Sequence, residues 1–412
     1  MAAESPHHEP PRQQPPSLRE PGSFKTAFRI EKERIHWIDQ GRGFVMFLLV
    51  VSGIMPKFMR EFNDVTWFFF EHPQGSETAQ YMNFYDVGVP AFFFIIGLLM
   101  AVSIKKRAEK KGVANAVLNE VIRWGLLLLF WEIIVLAENG ELGKLKEIVP
   151  GTWWYVISWD VVNAIGFVGL VATPLMFLPA KARMIAAYAM MAFYQVMISV
   201  PETMWRQYAI ASVHGGILGG TFVLTAITLL GSCVGDHYLL EKETPRREKD
   251  KMLVVFGLVN LAIGLLLWLI PGDFGGFPSK RQSTAGWATI SIAVIVGFLL
   301  IFVYTDWKDN DYPLLNPANK ARIVLFNAYG QNPFLIFVIA EVLSQGLDLA
   351  GVTLEPAFDV LYWIGCLAAI TALAIALYRK GKVISTTKIA LFLVVVLLAA
   401  GIILVSTGII QL

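Results

Sequence analysis

An all-α bundle of about eleven membrane-spanning helices is the architecture this sequence predicts. Of 412 residues 56% are hydrophobic and 16% charged, against roughly 25% charged in soluble domains, and mean hydropathy is +0.57. The apolar residues collect into runs of about 20, the length that crosses ~30 Å of hydrocarbon. These runs are continuous, where barrel strands would alternate every second residue. Helices, which satisfy their own backbone in lipid, are therefore the solution that fits.

Taken in chain order, residues 1–33 come first as a disordered tail. Pro6, Pro10, Pro11, Pro15, Pro16 and Pro21 stand there with almost no large apolar residues, and His7 and His8 have no second shell to hold a metal. A cleavable signal peptide is not expected, because the apolar stretch starts only near Ile38. One transmembrane domain, 34–412, should then absorb the rest. Its spans are expected at 38–56, 85–104, 117–136, 159–178, 183–200, 215–235, 252–271, 284–304, 321–345, 358–378 and 386–411. With the N-terminus cytoplasmic, the inner segments carry 25 Lys and Arg residues and the outer loops 7. This bias predicts an integral protein of the cell (inner) membrane with its tail inside and His72 and His214 outside. The net charge of +2 gives no reason to expect a nucleic-acid partner. Cys233 and Cys366 lie in apolar runs and read as packing residues.

Polar residues within the spans are candidate functional groups, since an ionisable side chain in a membrane helix faces the bundle interior or a cavity. In the first span, Asp39 and Arg42 of WIDQGRGF are three apart and share a helix face, as a structural ion pair or as ligand contacts. Next comes WFFFEHPQGS, an aromatic run followed by His72. It is either an interfacial belt with a polar loop or a mount for a catalytic base. Asp86 opens the second span and Asp160 the fourth, where a carboxylate also suits a helix N-terminus. Glu132 and Glu341 lie deeper and need partners or a proton. HGGILGG, at the sixth span, has small-residue spacing and reads as close helix packing. Lys280 and Arg281 precede the eighth span, at headgroup level or beside an anionic acceptor. In the ninth, NAYGQNP combines helix-loosening Gly330 and Pro333 with Asn327, Tyr329, Gln331 and Asn332, and should line a polar pathway or join helices through its amides. No GxGxxG, Walker, HExxH or CxxC pattern occurs, so dinucleotide, ATP and zinc mechanisms have no support and no metal site is expected.

Six segments in order resemble the heparan-alpha-glucosaminide N-acetyltransferase family of polytopic acyltransferases. RIHWIDQGRGFVMFLLVV is similar to its R-x-x-S-L-D-x-x-R-G opening. WFFFEHPQGS with FYDVGVPAFFFIIGLLMAVSIKKR is similar to its aromatic-His loop and following span. WDVVNAIGFVGL resembles its G-V-L-Q-R-I-G, HGGILGGTFVLTAITLLGSCVGD its E-G-L-L-S-T, FPSKRQSTAGWA its N-K-x-L-W-T-x-S, and AYGQNPFLIFVIAEVL its G-M-N-x-x-x-x-Y-x-x-x-E. They cover about residues 34–345.

The resemblance implies transfer of an acetyl group from cytosolic acetyl-CoA, a co-substrate and not a resident cofactor, to a sugar or glycan acceptor across the membrane. By position it implies His72 as the catalytic histidine and Asp86 beside it, and it matches Asp39, Arg42, Lys280, Asn332 and Glu341 to family positions. The departures are specific. Ser52 or a neighbour stands for a family Asn, Asn163 and Ala164 replace Gln and Arg, and His214 replaces a Glu. His72 would act as base or as transient acyl carrier, with Asp86 orienting the ring. Asp39, Arg42, Asn327, Gln331 and Asn332 would line the donor path or channel, and His214 and Lys280 would stand on the acceptor side. The remaining partners are the lipid bilayer and, optionally, a second copy in a homodimer. The competing class is a permease for a small polar solute, although no inverted repeat is visible; a structural scaffold would explain composition alone.

Overall fold

A computed structural model of the chain describes residues 36–70, 82–138, 159, 161–200, 203–211, 213–241, 243–270, 278–305, 323–349 and 354–406. The tail 1–33, His72 and Asp160 lie outside them. All described residues belong to one compact unit, His36–Leu412. They are helical, with no strand among them, as continuous apolar runs require.

The helices are α1 (His36–Ile54), the short α2 (Lys57–Arg60) and α3 (Asp64–Phe70), a 3-10 turn Phe84–Val87, α4 (Gly88–Lys111), α5 (Val113–Glu138), α6 (Val161–Leu175), α7 (Ala180–Ser199) and α8 (Met204–Ala211). Then follow α9 (Gly216–Gly219), α10 (Thr225–Gly235), α11 (Arg246–Leu269), α12 (Ala285–Thr305), α13 (Val324–Gln331), α14 (Pro333–Leu349), α15 (Pro356–Arg379) and α16 (Thr386–Ser406). Each of the eleven predicted runs coincides with helix. Seven stretches among the described residues are long and apolar enough to cross a bilayer, and Val161–Leu175, Pro333–Ser344 and Thr386–Val396 are shorter apolar helices. The ninth run is split. Asn332 leaves helical geometry (φ −132°, ψ 53°) between α13 and α14, because Pro333 disfavours the helical region at the residue before it.

Burial separates centre from rim. In the hydrophobic windows of Phe84–Lys111 and Gly216–Leu240, 72% of residues are buried, against 22% for α11 and 17% for α15, whose outward faces are left for lipid. The central pair approaches backbone to backbone. A Cβ at Gly231 or Gly235 would lie 2.0 or 2.2 Å from the carbonyl oxygen of Phe94 or Leu98, so the small-residue spacing on α10 sets its distance from α4. A second core of Met46, Val50, Tyr329, Ile336, Cys366 and Ile370 joins α1, α13, α14 and α15. Both cysteines are free. The charges within the spans are partnered: Arg123 pairs with Glu120 at 3.6 Å and lies 4.5 Å from the Trp124 ring centroid, and Glu132 accepts a 2.7 Å hydrogen bond from Asn163.

Candidate functional site

Two polar clusters form at opposite ends of α1 and α4. One lies where α1 begins and α4 ends in Lys110 and Lys111, the basic end. The other lies where α4 begins, at Asp86.

At the Asp86 end, the carboxylate is buried and closes the 3-10 turn before α4. Its Oδ2 accepts from the Asn83 backbone N–H at 3.0 Å, and its Oδ1 lies 3.8 Å from Lys280 Nζ. The same ammonium stands 5.3 Å from the Tyr85 ring centroid. The indole N–H of Trp287, fully buried, donates to the Asp86 carbonyl at 3.1 Å. Trp287 in turn stacks on His214, with centroids 6.4 Å apart and rings 19° from parallel. Asp86 and His214, which the sequence placed on the catalytic and acceptor sides, thus both meet one tryptophan, and Lys280 joins them through Asp86.

The loops that present these groups are built for position. His214 (φ 52°) and Ser283 (φ 53°) are the described non-glycine residues in left-handed backbone, and both belong to this cluster. Such conformations cost about 1–3 kcal/mol each and persist only where neighbours over-determine them. The neighbours are on hand. Gly215 N–H donates to Arg281 C=O at 2.6 Å, Tyr194 O–H to Gln282 C=O at 2.8 Å, and Ala285 N–H to Gln195 Oε1 at 2.9 Å. Helix α7 therefore buttresses the Lys280 turn and, through it, His214.

The aromatic helix α3 is tied to the same end. Ser52 O–H donates to Phe70 C=O at 2.6 Å and Asn83 Nδ2–H to Trp67 C=O at 3.2 Å. Ser52 also hydrogen-bonds the Tyr85 hydroxyl, which lies within electrostatic reach of Glu341. Phe70 is the last described residue before His72, which lies outside the described residues.

At the basic end, Arg42 Nη2–H donates to Asp39 Oδ1 at 2.7 Å and to the Gly330 carbonyl. Gln40 Oε1 accepts from the Ile323 backbone N–H at 3.1 Å, so both ends of α13 are held by one turn of α1. The crossing depends on two glycines: a Cβ at Gly330 would lie 1.9 Å from Asp39 O, and one at Gly43 1.7 Å from Phe326 O. Asn327 and Gln331 are buried beside it, and the Gln331 amide has no hydrogen-bond partner at either atom among the described residues. Asn332 has a different task. Its Nδ2–H donates to Lys382 C=O at 3.0 Å and its Oδ1 accepts from Ile384 N–H at 2.7 Å, which pins the turn before α16.

A network not evident from sequence spacing lies alongside. Asp236 is shared by Lys105, at 2.5 Å, and by the wholly buried Arg183, while Asp250 takes Tyr238 and, at 3.4 Å, Arg246. Lys105 and Asp236 are 131 residues apart, beyond any local periodicity. Ala164, which stands where the resemblance has an arginine, is fully buried. Among the described residues no group of three or more His, Cys, Asp or Glu side chains could hold a metal ion.

A family model described as an acyltransferase domain matches residues 35–379, a stretch that contains both clusters. The chain belongs to the acyltransferase domain family. It is an integral membrane acyltransferase by that match and by its apolar helices. No curated protein matches it.

Proposed function

We propose that this membrane acyltransferase takes an acyl group, acetyl in the simplest case, from cytosolic acyl-CoA and passes it to a sugar or glycan hydroxyl or amine at the outer face, in the manner of the heparan-alpha-glucosaminide N-acetyltransferases. The tail and basic end are cytoplasmic on this reading, as the basic-residue bias favours, and the membrane is the cell (inner) membrane. The observation that carries the proposal is the Asp86 end itself: a buried carboxylate beside a lysine, and a histidine on strained backbone stacked on the tryptophan that donates to the Asp86 carbonyl.

His72, acting as a neutral imidazole, takes the proton as the acceptor oxygen or nitrogen attacks the thioester carbonyl. The C–S bond breaks, and the CoA thiolate leaves with the proton that the imidazole returns. Alternatively the imidazole attacks first and carries the acyl group to the acceptor. Asp86 balances the imidazolium, and Lys280 is placed to stabilise the developing oxyanion or an anionic acceptor. His214 is the second proton-transfer group. At the basic end, Arg42 and the amides of Asn327 and Gln331 receive the donor, whose phosphates have no arginine at position 164 to meet. A permease would draw on the polar groups within the spans, the broken ninth helix and the basic rim, but the amide at that break, Asn332, is already committed to the backbone at 382 and 384. Purified protein given radiolabelled acetyl-CoA and a panel of sugar acceptors tests the proposal: label should move to an acceptor or to water, and its retention on CoA under all conditions would overturn it.

A further inference from the structure

Trp287 is the third residue of α12, and the helix start that presents it is fixed. Thr284 Oγ1 accepts from the Trp287 backbone N–H at 3.3 Å, as an N-cap does, and from the Ser279 N–H at 3.0 Å. The side chain is wholly buried, and both its N–H and its ring face are engaged. The N–H donates to the Asp86 carbonyl at 3.1 Å. In a regular helix that carbonyl would accept from the residue four on, which is Pro90 and has no N–H to give. The indole donates in its stead. The ring face lies against His214, 19° from parallel. His214 meets it from left-handed backbone at φ 52°, a conformation that glycine adopts without strain. A histidine kept there points to the imidazole as the reason.

We infer that Trp287 is a positioning residue that joins the Asp86 carboxylate and the His214 imidazole into one unit. The inference rests on the acyl-transfer reading above, in which both groups act. Trp287 holds the turn that carries Asp86 through its carbonyl and holds the imidazole through its ring face, so a shift at either is passed to the other. Volume alone would be filled by phenylalanine, whose ring needs no partner. The indole brings a donor to the place where Pro90 withholds one, and a buried indole N–H is itself satisfied there.

The test uses the purified full chain. Trp287→Phe keeps a ring against His214 and removes the donor, and Pro90→Ala added to it returns a backbone N–H to the Asp86 carbonyl. Trp287→Phe should lower kcat for transfer from acetyl-CoA by about tenfold or more, as lost alignment does, with KM within about twofold of the parent. The double variant should regain the parent's melting temperature but not its kcat. Recovery of both would reduce Trp287 to a partner for one carbonyl and overturn the inference, as would a parent-like kcat in Trp287→Phe. A second measurement needs neither variant to fold. With 5-fluorotryptophan in place of the 12 tryptophans, Asp86→Asn and His214→Gln should move the same fluorine resonance, and the two together should move it by other than the sum. Separate resonances or additive shifts would overturn the inference. Shared, non-additive shifts in a protein that transfers acetyl to no acceptor would leave the bridge standing and remove the transfer reading. Additive shifts in a protein that does transfer would do the reverse.

Discussion

His214 and Ser283 occupy backbone that L-residues avoid, and neither position is marked in the sequence by anything a spacing rule detects. Ser283 also has a buried hydroxyl with no partner among the described residues. Replacing it by glycine removes the strain and the unsatisfied group together. Ser283→Gly is therefore expected to raise unfolding stability by about 1–2 kcal/mol, read as thermal unfolding in detergent. A loss of stability would show that the side chain is needed where it stands. At the basic end, Arg42→Ala should raise the Kd for CoA at least tenfold. Isothermal titration measures this, and an unchanged Kd in a folded variant would remove Arg42 from the donor site.

At the scale of elements, the α1–α13 crossing is set by the two glycines that let backbones touch. Gly330→Ala puts a methyl into the Asp39 carbonyl and should destabilise by about 3 kcal/mol or more, at the upper end of overpacking costs. Gly297→Ala, on α12 with open space around its Cβ, should change stability by less than about 1 kcal/mol, since alanine is the better helix former. Equal melting temperatures for the two variants would contradict this geometry. The helices themselves were legible, because a lipid-crossing run must be continuous and apolar; so was the break in the ninth, because Pro333 is local. What was not legible is which ends meet. Asp86 finds Trp287 201 residues away, and Arg183 finds Asp236 across 53. Such pairs depend on helix packing, which a single sequence's periodicity does not encode. HGGILGG illustrates the limit: Gly219 closes on the His214 carbonyl of its own turn, Gly220 on the Trp159 ring, and Gly215 serves a left-handed turn at φ 67°, so these glycines shape a turn more than a helix crossing.

For the whole molecule, the proposed transfer requires the two clusters, at opposite ends of α1 and α4, to face opposite compartments. Thr244 is expected inside and Ser76 outside. In a background without Cys233 and Cys366, Ser76→Cys should react with an impermeant thiol reagent on intact cells while Thr244→Cys stays protected, and the inverse pattern would reverse the membrane orientation. The measurement that bears most directly on the proposed chemistry is transfer of radiolabelled acetyl from acetyl-CoA by the unaltered protein and by His72→Ala. Ser52 and Asn83 hold the aromatic helix α3, so the variant should fold with stability within roughly 1 kcal/mol of the parent. Its transfer rate should fall by about 10²-fold or more, the contribution of a positioned general base. A well-folded His72→Ala protein that transfers acetyl at near the parent rate would contradict the mechanism and move the proton-transfer role to His214.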